Sequence, residues 1–141
     1  MAATPPAEVE DEDLRRIHCA DATHSRRPHS NGGPTAALLD NETAHDFASL
    51  LPLTLAMHDL FGREKPGQLP RALASGGLPQ STYQVGDLGY WSPSRDLATF
   101  YHHDGQRIPN PGIVIIGRID SGLDVIASAG GAFHLTIELI D

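Results

Sequence analysis

Asp40-Asn41-Glu42-Thr43-Ala44-His45-Asp46-Phe47-Ala48-Ser49-Leu50-Leu51-Pro52-Leu53-Thr54-Leu55 changes its period halfway along, and that change decides the reading of the fold. Ala44, Phe47, Leu50 and Leu51 recur at helical spacing behind Asn41 or Thr43, either of which can cap a helix, with Asp46 three residues after Thr43 as a weak capping box. The helix must stop near Leu51, because the residue before a proline is pushed out of the α region and Pro52 has no amide hydrogen to donate. Leu53, Leu55 and Met57 then alternate with Thr54, Ala56 and His58, a strand period with one buried face.

Downstream, Gly62-Arg63-Glu64-Lys65-Pro66-Gly67 reads as a turn or loop, and Leu69-Pro70-Arg71-Ala72-Leu73 as one helical turn stopped by Gly76-Gly77. Tyr83 to Ser92 and Asp96 to His102 read as two strands joined at Ser92-Pro93-Ser94-Arg95, where proline cannot continue a central ladder. Asp104 to Gly112 is a flexible connection. Ile113 to Ile119 is a nearly continuous β-branched run, expected of a strand buried on both sides. Phe133, Leu135, Ile137 and Leu139 alternate with His134, Thr136 and Glu138, the cleanest strand signal in the chain. Many short strands, one capped helix and repeated Gly and Pro punctuation give a mainly β domain, a single closed barrel rather than a helical or doubly wound fold.

The chain of 141 residues has the size of one domain. Five of the charges behind its net −8 lie in Glu8, Glu10, Asp11, Glu12 and Asp13, within a leader that has no Lys or Arg. Residues 1–13 therefore read as a disordered acidic tail ahead of a domain over 14–141, with a flexible loop at 20–34. The remaining basic residues are scattered, which argues against a nucleic-acid face. No run approaches the 18 apolar residues of a membrane span, and the start lacks the pattern of a secretory signal. Cys19 is the one cysteine, so neither a disulfide nor a thiolate metal cluster is expected. A cytoplasmic location follows as the default.

Four words in a fixed order carry a resemblance: Ala44-x-Asp46-Phe47-x-Ser49-Leu50-Leu51-Pro52-Leu53-Thr54-Leu55, Leu69-Pro70-Arg71, Gly86-Asp87-Leu88 and Gly117-Arg118-Ile119-Asp120-Ser121-Gly122. Over about residues 38 to 139 the chain resembles the small bacterial cyclophilin-like proteins, closed β-barrels related in fold to cyclophilins but without their sequence signature. Residues 1–37 depart from the family pattern. Family members begin with a compact hairpin, whereas here the candidate strands around Leu14 to Cys19 and Thr35 to Leu39 are separated by a long polar loop. The Phe-His-Arg type strand and the Gln and Phe motifs that accompany peptidyl-prolyl isomerase activity are also missing, so isomerase chemistry is the least favoured implication.

Chemistry-bearing motifs are few. His102-His103-Asp104 is the densest of the histidine clusters, but adjacent strand residues point to opposite faces and no His-Glu-x-x-His or Cys-x-x-Cys spacing accompanies it, so no metal is expected. No Gly-x-Ser-x-Gly elbow or phosphate-binding glycine loop is present, so no nucleotide cofactor is expected and none of any other kind is implied. His58 and His134 fall opposite the apolar rows and read as exposed.

The aromatics are more specific. Tyr90, Trp91, Phe100 and Tyr101 fall on two strands adjacent in sequence, where they serve either as ordinary cross-strand packing or as the wall of a pocket for an unsaturated ligand. Met57 could complete that wall. Arg118 with Asp120 reads as a structural ion pair or carbonyl bracket in preference to an anion site. In the pocket reading Trp91 and Tyr101 are the catalytic candidates, and Met57, Tyr90, Phe100 and Arg118 contact substrate.

Some relatives of this barrel type look like cyclases that fold a linear polyene, as in polyketide cycloaddition. The resemblance therefore implies a cofactor-free cyclase of bacterial secondary metabolism acting on an apolar small molecule. Ordering the reactive conformer can supply up to ~7–11 kcal/mol, and a hydrogen bond from an indole or phenol to a carbonyl adds to it. The alternative is a non-catalytic module that binds a ligand or protein, with the leader and the 25–34 loop facing the partner. A homodimer through an exposed strand is a further expectation.

Overall fold

The computed structural model describes residues 15–21 and 33–140; the acidic leader read at 1–13 and most of the 20–34 loop lie outside the described residues. The elements in chain order are β1 (Arg16–Asp21), β2 (Thr35–Leu38), α1 (Glu42–Ala48), β3 (Leu53–His58), β4 (Glu64–Gln68), β5 (Asp87–Trp91), β6 (Asp96–Phe100), β7 (Val114–Ser121), α2 (Leu123–Ala127) and β8 (Ala132–Leu139). The strands close into a barrel in the order β1-β2-β7-β5-β6-β4-β3-β8, every named pair antiparallel. β1 completes the ring by pairing with both β2 and β8. No helix among the described residues is long and apolar enough to cross a membrane.

Alternation fills the interior. Leu55 and Met57 of β3 and Phe133, Leu135 and Ile137 of β8 point inward, beside Leu88, Tyr90, Leu97, Val114 and Ile116. Thr54 and Thr136 face outward as a cross-strand pair with their hydroxyls 2.7 Å apart. α1 closes one end. Of the two cap candidates it is Asn41 whose side chain accepts from the Ala44 amide, at 2.8 Å, with Thr43 inside the helix, and Phe47 enters the core with no exposed surface.

Some local readings change, and the strand read from Tyr83 begins at Asp87. Residues 64–68 form strand β4, in register with β6 from Glu64↔Phe100 to Gln68↔Asp96, where Pro66-Gly67 signals a turn. The dipeptide is admitted because β4 meets β3 at the single pair Met57↔Gly67, an edge-like setting that tolerates proline. The glycine answers a close crossing: a Cβ at Gly67 would lie 2.3 Å from the Met57 sulfur and 3.0 Å from the Ala56 carbonyl oxygen.

Residues 69–73 form no helix. Leu69 and Leu73 are buried, and the backbone donors are met from outside the segment. Leu69 N–H donates to the Arg95 carbonyl, Leu73 N–H to the Tyr90 hydroxyl at 3.0 Å and Ala74 N–H to Asp46 Oδ2 at 2.8 Å. Among the described residues a second helical turn lies at α2, entered through Gly122 at φ 86, where a side chain would also meet Pro34.

Candidate functional site

A second apolar cluster lies outside the barrel. Gly89 and Trp91 of β5, Ala98 and Phe100 of β6 and Ile115 of β7 alternate with interior residues and face away from the lumen; Tyr83, Ile108 and Ile113 pack onto them. This explains the continuous apolar reading of 113–116, since Val114 and Ile116 belong to the interior and Ile113 and Ile115 to the outer cluster. The segment after Phe100 folds back over this face. Ile108 N–H donates to the Ser81 carbonyl at 2.8 Å, and Gln80 and Ile113 exchange two backbone bonds.

The floor is low in the middle and high at the sides. Pro66, Ala98 and Gly89 form one row across β4, β6 and β5, between a row containing Glu64 and Phe100 and a row containing Asp96 and Trp91. Ile113 occupies the space over Gly89, where a Cβ would stand 2.5 Å from Ile113 Cγ1. A cavity of about 360 Å³ results. Trp91, Phe100, Ile108, Pro109, Ile113 and Pro66 supply its apolar lining, Leu60 and Phe61 stand on the β3–β4 side, and His58, Arg63, Glu64, Ser94 and Asp96 are its polar members.

Buried charge sits at one end. Arg63 and Glu64 are 7% and 6% exposed, and the Arg63 guanidinium donates through Nε (2.9 Å) and Nη2 to Glu64 Oε2. Asp104 lies 3.7 Å from Nη1. The guanidinium also stacks 5.3 Å from the Phe61 ring centre, 5.8 Å from Tyr83 and 6.0 Å from Phe100. Desolvation raises the Glu64 carboxyl above the usual carboxylate range despite the opposing Arg63 charge, and the negative charges of Asp96 and Asp104 add to the rise. Behind this pair the Tyr83 ring stacks on Phe100 at 4.1 Å and on His103 at 4.7 Å, and its hydroxyl donates to the His102 carbonyl.

Trp91 and Phe100 are thus brought together in one pocket, and the other sequence candidates lie elsewhere. Met57 and Tyr90 are in the barrel interior, 2% and 4% exposed, because β3 and β5 turn those positions inward. Tyr101 follows the end of β6 and donates its hydroxyl to Asp59, which pushes its phenol up to about 12. Asp59 also pairs with the buried Lys65, whose Nζ donates to the Gly130 carbonyl at 2.7 Å. Arg118 projects from β7 to the surface and holds the buried Asp87 at 2.9 Å, while Asp120 accepts from Arg16 and Thr35. Neither Arg118 nor Tyr101 lines the cavity. Arg63 and Glu64 were missed in the sequence because they sit in a stretch that reads as a turn; three adjacent charged residues ordinarily mark solvent, and no local pattern distinguishes these as buried.

The comparisons with known proteins agree with this architecture. The solution structure of a hypothetical protein from Archaeoglobus fulgidus superposes with a TM-score of 0.65 at 18% identity, over 89% of this chain and 94% of that one, a similarity of fold. No curated protein matches the chain. The model of the cyclophilin-like family matches residues 31–138, a span that takes in β2 to most of β8 and every residue lining the cavity. The chain belongs to the cyclophilin-like family.

Proposed function

We propose that the outer-face cavity binds an apolar small molecule and that Trp91 and Phe100 are the rings that hold it. The supporting observation is a roughly 360 Å³ concavity in which aromatic and aliphatic walls meet a small set of polar groups, the usual composition of a ligand site. β5 and β6 beneath it are paired on both sides, and Ile113 fills the space that Gly89 leaves open.

The chemistry that suits such a site is conformational: a flexible apolar ligand held in one folded shape against Trp91 and Phe100, as a cofactor-free cyclase requires. Arg63 and Glu64 provide a fixed dipole at one end of the cavity, toward which a ligand carbonyl or hydroxyl can orient. A second reading, binding of a protein segment, is favoured by one observation: the cavity opens on the outside of the barrel beside Phe61, a ring 73% exposed.

The chain has one Trp, so its fluorescence reports on this pocket. Titration with a panel of apolar polyenes and macrolactones is expected to give saturable quenching, and a bound compound would then be followed for turnover by mass spectrometry. A signal that stays linear or flat across the panel contradicts the small-molecule reading.

A further inference from the structure

The balance of charge around the cavity narrows the ligand further, on the reading that the cavity is a binding site. Two carboxylates line it, Glu64 and Asp96, against one guanidinium, Arg63. Arg63 is already engaged, with Nε and Nη2 donating to Glu64 and Nη1 facing Asp104. Asp96 accepts from the Ser94 hydroxyl through Oδ2 at 2.6 Å. Among the described residues no hydrogen bond reaches Glu64 Oε1 or Asp96 Oδ1. Arg63 thus offsets Glu64 and already lies over Phe61 and Phe100, which leaves Asp96 and Trp91 as the lining carboxylate and ring not engaged by a cation.

We infer that the ligand class is an organic cation: a protonated or quaternary amine on an apolar body, its nitrogen beside Asp96 and against the ring of Trp91, which lies opposite Asp96 across β5 and β6. A ring quadrupole attracts a cation, and desolvation strengthens the attraction, so the same walls that hold hydrocarbon also hold an alkylammonium head. An anionic ligand would meet Glu64 and Asp96 while the matching guanidinium is occupied. A neutral one would bring no opposite charge to Asp96.

The test compares three probes of similar shape by quenching of Trp91: benzyltrimethylammonium, its uncharged carbon analogue neopentylbenzene, and 3-phenylpropionate. The ammonium is expected to bind about tenfold more tightly than the hydrocarbon. Asp96→Asn, a change at a partly buried position, is expected to reduce that advantage several-fold. If hydrocarbon and ammonium bind equally, or the carboxylate binds most tightly, the cation inference falls while the pocket stands. Failure of all three probes to perturb the indole overturns the inference and counts against the binding reading itself.

Discussion

Asp46 lies on α1, yet its carboxylate is directed at the segment that follows β4. Arg71 donates to both its oxygens at 2.9 Å, and the Ala74 amide donates to Oδ2. Together they hold the carboxyl down to about 2, the Arg71 hydrogen bonds contributing most. Because the folded-state value is depressed, its stabilising contribution is present above the ordinary carboxylate range and disappears as pH falls from about 4 toward 2. Thermal melts across that window should show Asp46→Asn less stable than wild type at pH 7 and indistinguishable from it near pH 2. A constant difference at all pH values would rule out the linkage. Glu64 behaves differently because its partner is also buried. Glu64→Ala leaves the Arg63 guanidinium with Asp104 alone, and a loss of about 3 kcal/mol in denaturant unfolding is expected. Replacing both partners, as Arg63→Met with Glu64→Leu, should recover most of that loss.

At the scale of elements, α1 stabilises the barrel through one ring more than through its seven residues, since Phe47 is fully enclosed at the barrel end. Phe47→Ala is expected to cost about 3–5 kcal/mol, measured by urea unfolding with unchanged m-value. β5 shows why an element can be two-sided: Leu88 and Tyr90 serve the interior while Gly89 and Trp91 serve the pocket. Gly89→Ala would push against Ile113 and Phe100, both cavity residues. The expected result is weakened quenching by bound ligand with a stability loss of about 1–3 kcal/mol. Elements with clean alternation, β3 and β8, were legible because each has one dry and one wet face. β4 was not, because Pro66-Gly67 is locally a turn signal and only the crossing over Met57 explains it. The helical turn expected at 69–73 is absent because Arg95 and Tyr90, distant in sequence, take the Leu69 and Leu73 amides.

For the molecule as a whole, closure brings β1 and β8 together and leaves its weakest seam between β3 and β4, which share one residue pair. Native-state hydrogen exchange should therefore find the slowest amides in β3, β8, β5 and β7 and faster exchange along β4. Uniform protection around the ring would contradict this. Alternation and punctuation sufficed for a barrel, and the ordered words from Ala44 to Gly122 sufficed for the family. Half of the aromatic wall was legible for the same reason: Trp91 and Phe100 sit on identifiable strands. Met57 and Tyr90 follow the alternation of β3 and β5 into the interior, and which face of β5 becomes the lumen is set only when the barrel closes. The charged end of the pocket depends on the loop after Phe100 folding back, which no short-range pattern encodes.

The most direct test of an outer-face binding site is amide chemical-shift mapping of the 15.1 kDa protein during titration with a compound that quenches Trp91. Shifts are expected to concentrate in 58–66, 91–100 and 108–113, the three segments that line the cavity, with the buried Met57 and the distant Arg118 little moved. Perturbations centred instead on the barrel interior or on the Arg118–Asp87 surface, with those three segments unmoved, would contradict the account.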